Sequence, residues 1–391
     1  MKIVIVSPLM LAIPDVQGGA IERLMTMLIE ENEVHHEQDF YVISIENEEA
    51  KRIAQKYKNS KVIYINKVNS FIQKMYYYFL AVVYKLTRKC LPISNLNYIK
   101  VMKTIDKIKP DVIVVEGCGG ENFYFMSKRY GKEKFYLHLH SEYLPNKILD
   151  KTFGNIISVS DYISKKWMKE TSNKTLHNYI VKNCIDEQRF QCVVSKDELR
   201  FLRERLGYTQ DDFVVLFCGR IIKEKGVKEL LQAFEKMDNP NIKLLMIGSP
   251  NFKLTLETDY LKYVKNKVDQ LVNVSWIGYV DNDDLYKYYD AANLLVIPSI
   301  CEEASPLTAL EALTCGVPIL ATKTGGLPEV VTSECSILIE KDEHLVRNLC
   351  EKINYLYLHP QKCEAMHQAA LKRAGQFSKE RYYYDFIGVF K

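Results

Sequence analysis

Three carboxylates, Glu302, Glu303 and Glu311, stand in a segment otherwise made of small and apolar residues, PSICEEASPLTALEALTCGVP at 298–318. The run before it, NLLVIPS, reads as a buried strand, and ICEEA as the loop at its carboxyl end. Ser305 and Pro306 read as a helix start, with serine as N-cap and proline in the first helical position. The helix PLTALEALTC then runs to a stop at Gly316. At such a start the N–H groups of Leu307 and Thr308 have no helical acceptor, and a helix N-terminus favours anions. Glu311, six residues on, lies about 9 Å further along the axis. One wall then offers a loop carboxylate, backbone donors and a helix carboxylate. A nucleoside diphosphate sugar, an anion flanked by two hydroxyl-bearing rings, fits that wall.

Something must position these groups, and the chain has the elements for it. With 391 residues and 47% hydrophobic content, it is long enough for two domains of ordinary size. Fifty-three basic residues against 49 acidic leave a net charge of +4, which excludes a dedicated nucleic-acid binder. Ten scattered cysteines without a C-x-x-C pair argue against a zinc site or a disulfide framework and for a reducing compartment. The opening KIVIVS reads as a buried strand and not as a secretory signal, because Pro14-Asp15 and a glycine turn into a helix follow it. Short apolar runs then alternate with helical stretches: DFYVISI, KVIYI, DVIVVE, KFYLHLH and NIISVS, and later DFVVLFCG, IKLLMIGS, NVSWIGYV, NLLVIPS and VPILAT. That alternation predicts two parallel sheets covered on both faces, hence two doubly wound domains. The segment 181–198 lacks periodicity and reads as the joint. The expected division is 1–180 and 181–375, with a C-terminal helix at 376–391 completing the first domain. The cleft between the domains is the expected site.

The pair Glu303 and Glu311 in E-x7-E spacing, followed by EALTCGVPILATKTGGLPE, resembles the signature of retaining glycosyltransferase family 4. Members of that family have the GT-B fold of two facing Rossmann-like domains. The similarity takes in Gly18-Gly19, SVSDYI at 158–163, FCGRIIKEKGVKELLQAF at 217–234 and GYVDNDDLYKYYDAANLLVIPS at 278–299. Asn183-Cys184 and Ala304-Ser305-Pro306 depart from the family's commoner versions without removing a side chain the chemistry needs. The resemblance implies transfer of a sugar from a nucleotide donor, with retention of configuration, no metal ion and no cofactor. It implies that Glu303 holds donor-sugar hydroxyls and Glu311 the ribose. Arg220 and Lys225 would neutralise the diphosphate, and Tyr279 and Val280 would border the nucleobase. Gly18 and Gly19 would let backbone approach the phosphates, and His140 would stand near the reaction centre. The expected donor is a UDP-sugar, the acceptor a glycan or lipid-linked glycan, and the process bacterial-type surface polysaccharide or glycoconjugate assembly in the cytoplasm or at the inner face of the membrane. A nucleotide-sugar epimerase and a non-catalytic partner subunit are the competing readings.

Three other motifs have plainer explanations beside them. DNDDL at 281–285 looks like a metal-binding D-x-D, but it reads as an N-cap with acids in the first helical turn. EGCGGEN at 116–122 departs from G-x-G-x-x-G and reads as a turn, not a dinucleotide site. In YLHLHSEY, His138 and His140 alternate along a strand and so share a face, His138 reading as a satisfied core or cleft-wall histidine. The tyrosine- and lysine-rich stretch 70–109 fits either a helix resting on anionic lipid or an amphipathic helix packed on the first domain with its lysines in water.

Overall fold

Near-continuous apolar runs become strands buried on both faces. Ile3, Val4, Ile5 and Val6 are all at most 1% exposed, as a parallel sheet covered by helices on both sides requires. The computed structural model describes residues 1–88, 91–191, 194–250 and 258–391. Lys89 and Cys90 of the 70–109 stretch, and Cys192 and Val193 of the joint, lie outside the described residues.

The chain divides into two units, Met1–Asn183 with Lys379–Lys391, and Cys184–Ser378. In the first, β1 (Lys2–Val6), β2 (Asp39–Ile45), β3 (Ser60–Ile65), β4 (Val112–Glu116), β5 (Phe135–Leu139), β6 (Asn155–Ser158) and β7 (His177–Ile180) form one parallel sheet in the order β3-β2-β1-β4-β5-β6-β7. In the second, β8 (Phe213–Cys218), β9 (Ile242–Ile247), β10 (Val274–Trp276), β11 (Leu294–Ile297), β12 (Ile319–Thr322) and β13 (Ser336–Ile339) follow the order β10-β9-β8-β11-β12-β13. Strand order reverses between β1 and β4 and again between β8 and β11. Such reversals open a crevice at the carboxyl ends of the strands. Successive residues of β8 feed opposite cores of the second unit, Val214 and Leu216 one and Val215 and Phe217 the other.

Helix Lys379–Gly388 packs within the first unit. The Tyr383 hydroxyl donates to Asn32 Oδ1 at 2.8 Å and accepts from the Glu37 N–H at 3.2 Å. Phe386 meets Phe40 edge-on.

The 70–109 stretch separates into two helices of opposite character. Asn97–Ile108 buries Tyr98, Val101 and Ile105 and leaves Lys103 and Lys107 in solvent, an ordinary amphipathic helix. Ser70–Thr87 buries no residue at all. Its Phe71, Ile72, Met75, Tyr78, Phe79 and Val82 are each more than half exposed. Leu96 N–H donates to Gln73 Oε1 at 3.0 Å and the Tyr76 hydroxyl to Ile93 O at 2.8 Å, which tethers it to the segment that follows. A packed helix with only its lysines in water therefore describes Asn97–Ile108 and not Ser70–Thr87.

Candidate active site

In the second unit the loop after β8 and the loop after β11 meet at the strand-order reversal. Gly226 has φ +69°, and a Cβ there would stand 1.8 Å from Pro298 O. Only glycine lets the Lys223–Lys225 turn pass so close to the end of β11. The Ile300 N–H donates to Glu224 O at 2.9 Å and fastens the two loops. Lys225 Nζ thereby lies 2.6 Å from Glu303 Oε1. The Ser299 hydroxyl donates to the same oxygen. Behind Glu303, the Gly326 N–H donates to Glu303 O at 2.6 Å, and Gly325 at φ +52° has no room for a Cβ against that carbonyl. Glu303 is 7% exposed, so its carboxylate is a fixed, charge-compensated group. Arg220, five residues before Lys225, is exposed, and its guanidinium has no partner among the described residues.

The helix behind this loop is Leu307–Thr314, with Pro306 in the N-cap position. The expected start, Ser305 as N-cap and Pro306 as first helical residue, is one position early. Proline fixes φ but not ψ, and here ψ is 126°, outside the helical range. The N–H groups of Leu307 and Thr308 nevertheless fall in the first turn, where no helical acceptor exists. Glu311 is buried and accepts from the Tyr289 hydroxyl at 2.7 Å. Burial, with the nearby Cys218 and Glu311, holds the Tyr289 hydroxyl well above its ordinary value, and burial and Glu311 push the Cys218 thiol up as well. Tyr289 therefore remains a donor to Glu311.

Glu302 faces elsewhere, toward Lys341 Nζ at 2.6 Å and the Gly325 N–H at 2.5 Å. Tyr279 and Val280 follow β10 in a half-buried loop after Gly278, whose carbonyl accepts from the Gly248 N–H at 2.7 Å. DNDDL does not cap its helix as expected. Helix Leu285–Asp290 has no acid in its first turn, and Asp284 at the N-cap position has helical backbone angles that keep its carboxylate off the helix N–H groups. Asp284 instead pairs with Lys287 at 2.6 Å, and Asp283 pairs with Arg189.

In the first unit Gly18 has φ +86° and Gly19 precedes helix Ala20–His35. Their N–H groups already donate to Asp15 Oδ1, at 2.7 and 3.3 Å. The glycines thus give close approach, while an internal carboxylate occupies their amides.

At the far side of the same reversal, Glu116 ends β4 in register with His138 of β5. Glu116 Oε2 lies 2.6 Å from His140 Nε2 and 2.9 Å from His138 Nδ1, and the two imidazole rings are 4.1 Å apart. Burial alone would raise the Glu116 carboxyl, but the two imidazoles outweigh it and hold the group at about 2. Burial, then His138, lowers His140 against the opposing pull of Glu116. His138 is buried as a core histidine should be, but its Nε2 has no hydrogen-bond partner among the described residues. Among the described residues these three are the group whose ligand atoms converge, within 4.8 Å. The 2.6 Å contact between Glu116 and His140 is a hydrogen bond.

The structure thus brings together Lys225, Glu303 and the first turn carrying Leu307 and Thr308, and separately His138 and His140. Sequence reasoning missed Glu116, Ser299, Tyr289, Gly226 and Gly325. The signal for Glu116 was a strand ending in a carboxylate ahead of a glycine turn.

Residues 200–373 match the family model described as Glycosyl transferases group 1. The chain is 27% identical over 281 residues to lipopolysaccharide 1,2-N-acetylglucosaminetransferase of Salmonella typhimurium, covering 70% of this chain and 72% of that protein. It is 31% identical over 224 residues to capsular polysaccharide biosynthesis glycosyltransferase CapM of Staphylococcus aureus, and spans 55% of that protein's length. Spore coat protein SA of Bacillus subtilis aligns along 100% of this chain and 99% of its own, at 23% identity. Among solved structures, Anabaena HepE in complex with UDP-glucose superposes with a TM-score of 0.77 over 100% of this chain and 99% of that one, at 18% identity. A glycosyltransferase from Rickettsia africae gives 0.78 over 100% and 97%, at 16%. These likenesses, with the two sheets, make the fold GT-B, built of two Rossmann-like α/β units. The match to the group 1 model lies within the second unit, at residues 200–373.

Proposed function

We propose that this protein transfers a sugar from a UDP-sugar to a glycan or lipid-linked acceptor in surface polysaccharide or glycoconjugate assembly, with retention of configuration and without a metal ion. The observation that carries the reading is the Lys225–Glu303 pair at the β8/β11 reversal, with the exposed Arg220 on the same loop after β8 as Lys225. The arrangement supplies cations for a diphosphate and a carboxylate for sugar hydroxyls within one pair of loops. Relatives named for lipopolysaccharide and capsular polysaccharide synthesis support the process, and HepE, which holds UDP-glucose, supports the donor class.

As the glycosidic bond breaks, the diphosphate gains negative charge. Arg220, Lys225 and the N–H groups of Leu307 and Thr308 stabilise it. Glu303 orients sugar hydroxyls, Glu311 takes the ribose in place of or beside Tyr289, and Tyr279 and Val280 border the base. The acceptor attacks the face the diphosphate leaves, and a departing phosphate oxygen takes the acceptor's proton. A thermal-shift panel of UDP-, GDP-, dTDP- and ADP-glucose tests the donor, because a ligand at 100 times its Kd stabilises by about 2.7 kcal/mol. Stabilisation by UDP-glucose and turnover that survives excess chelator are expected. Activity silenced by chelator and restored by magnesium would overturn the metal-free reading. Isomerised free nucleotide sugar without acceptor would replace transfer by epimerisation.

Helix Ser70–Thr87 supports a lipid-linked acceptor. Its exposed apolar side chains lie among Lys67, Lys74, Lys85 and Arg88, with no acidic residue from 67 to 88. That chemistry matches an anionic bilayer surface, and no described helix is long and apolar enough to span one. Co-sedimentation with vesicles containing phosphatidylglycerol, reversed by salt, is expected. Equal recovery in the supernatant with and without anionic lipid would remove the membrane from the proposal.

A further inference from the structure

Helix Ser70–Thr87 has two sides. Gln73, Tyr76, Leu80 and Val83 recur at intervals of three and four residues and are half-buried. Phe71, Met75, Tyr78 and Val82 recur in the same way on another side and are exposed. Lys74 and Lys85, also exposed, border that apolar stripe three turns apart, roughly 16 Å along the axis.

The half-buried side carries the polar links. Gln73 Oε1 accepts from the Leu96 N–H, and the Tyr76 hydroxyl donates to Ile93 O. The residues between Ile93 and Leu96 are fastened in turn to Asn122. Its Oδ1 accepts from the Ser94 N–H at 2.8 Å, the Asn95 N–H at 3.2 Å and the Ser94 hydroxyl at 3.3 Å. Asn122 is fully buried, and its Nδ2 donates to Gly119 O at 2.7 Å. A continuous path of hydrogen bonds therefore runs from the apolar helix through 93–96 to the turn at 117–120. That turn leaves β4 at the reversal between β1 and β4, the place where a doubly wound sheet takes its ligand. Glycines at 117, 119 and 120 leave it open to other backbone conformations when it is not held.

We propose that Asn122 is a positioning residue that couples the docking of helix Ser70–Thr87 on an anionic bilayer to the turn after β4, so that the bilayer orders this turn and raises turnover. The inference rests on the reading of that helix as a membrane-facing surface and assigns it a regulatory consequence. An apolar stripe with cations along its edge settles in a bilayer surface in one rotation about its axis. Its opposite side then has one attitude toward 93–96. A ligand that favours one arrangement shifts the population toward it, and here the bilayer is that ligand.

Hydrogen–deuterium exchange with vesicles of phosphatidylglycerol and phosphatidylcholine reads the coupling directly. In wild type the vesicles should slow exchange at 70–87 and, by about threefold or more, at 117–122. They should also raise kcat for UDP release from UDP-glucose severalfold, with KM within about twofold. The double variant Gln73→Ala/Tyr76→Phe cuts the helix from 93–96 and leaves the apolar stripe and its lysines in place. It should co-sediment with vesicles as wild type does and keep vesicle-free UDP release within about twofold. Both the slowed exchange at 117–122 and the stimulation should be lost. Asn122→Ala breaks the far end of the same path and should lose the same two effects. Because Asn122 is buried, the double variant carries the test if Asn122→Ala does not fold. If UDP-glucose is not turned over, the exchange measurement decides by itself. Slowing confined to 70–87 in wild type, slowing at 117–122 that persists in the double variant, or slowing there without a rise in kcat would overturn the coupling and leave the membrane reading standing. Failure of wild type to bind the vesicles would overturn the membrane reading, and the coupling with it.

Discussion

Glu116 and Glu303 hold corresponding stations in two sheets of the same design, each on or just past the strand that neighbours the first strand across the order reversal. Their partners differ. Glu116 is matched with imidazoles, which are neutral or charged according to pH, and is sealed from solvent. Glu303 is matched with the ammonium of Lys225, a side chain 23% exposed. An imidazole partner gives orientation and a defined tautomer. An ammonium partner gives charge that can be shared with an incoming anion. One fold therefore uses strand-end carboxylates in two ways, and the choice of base decides which.

The comparison breaks most clearly at Glu303. Glu303→Gln keeps the shape and frees Lys225 from its counter-charge. Turnover should fall about hundredfold, on the order of one charged hydrogen bond of ~1.5 to 3 kcal/mol, while UDP binding holds or tightens. Glu311→Gln should weaken UDP binding itself, because its carboxylate is meant for the ribose. Calorimetric titration of UDP into both variants separates them, and identical affinities would refute the division of roles.

The two cations sharpen the same contrast. Arg220→Ala and Lys225→Ala should each lower turnover about tenfold to hundredfold, and the double variant further. Their stabilities should differ. Lys225→Ala strands a nearly buried carboxylate and should lower Tm by several degrees, whereas Arg220, exposed and without a partner among the described residues, should be removable at no cost in Tm. Equal melting temperatures would mean that Lys225 does not hold Glu303 in solution.

Acid separates the stations as well. The folded-state value of Glu116, about 2 against an ordinary 4.5, means that its stabilisation is complete above 4.5 and is lost as pH falls toward 2. His140, held below its ordinary 6.5, adds a loss that begins as pH falls through 6.5. The Tm difference between wild type and Glu116→Gln should therefore close below pH 4.5. A constant difference from pH 7 to pH 3 would show that the carboxylate is not ionised in the fold.

Much of this was legible in the chain because the strands that carry the site are central. The runs that became β1, β4, β8 and β11 are apolar on both faces and announce themselves. Of the edge strands, β3 and β10 were legible as KVIYI and NVSWIGYV, and β7 and β13 were not. HNYI of β7 is mostly exposed and SILI of β13 is four residues long, so neither has the buried run that marks a strand. The E-x7-E spacing placed Glu303 and Glu311, but their partners are long-range. Ser299 is visible as a partner only once the loop folds, and Tyr289 only once the helices pack. Glu116 carried a signal as a strand-end carboxylate, but its pairing was invisible for the same reason, since its partners lie 22 to 24 residues away in strand register. The Pro306 start was misjudged because a proline's ψ is set by the loop before the helix, not by the proline.

The smallest expected effect is next door to the largest. Glu302 adjoins Glu303 yet points toward Lys341, in a pair about one-third exposed on each side. Surface pairs of that kind contribute about 0 to 1 kcal/mol. Its other bond, from the Gly325 N–H, goes to an oxygen that a glutamine amide also presents. Glu302→Gln should therefore keep the loop against Gly325, change Tm by no more than a degree or two and leave turnover within about twofold. Glu302→Ala loses that acceptor and releases the Gly325-Gly326 turn that supports the Glu303 carbonyl, so it should cost more than the glutamine variant. If Glu302→Gln instead reduced turnover as far as Glu303→Gln, the charge itself at position 302 would be in use, and the reading of Glu302 as a loop anchor would fall.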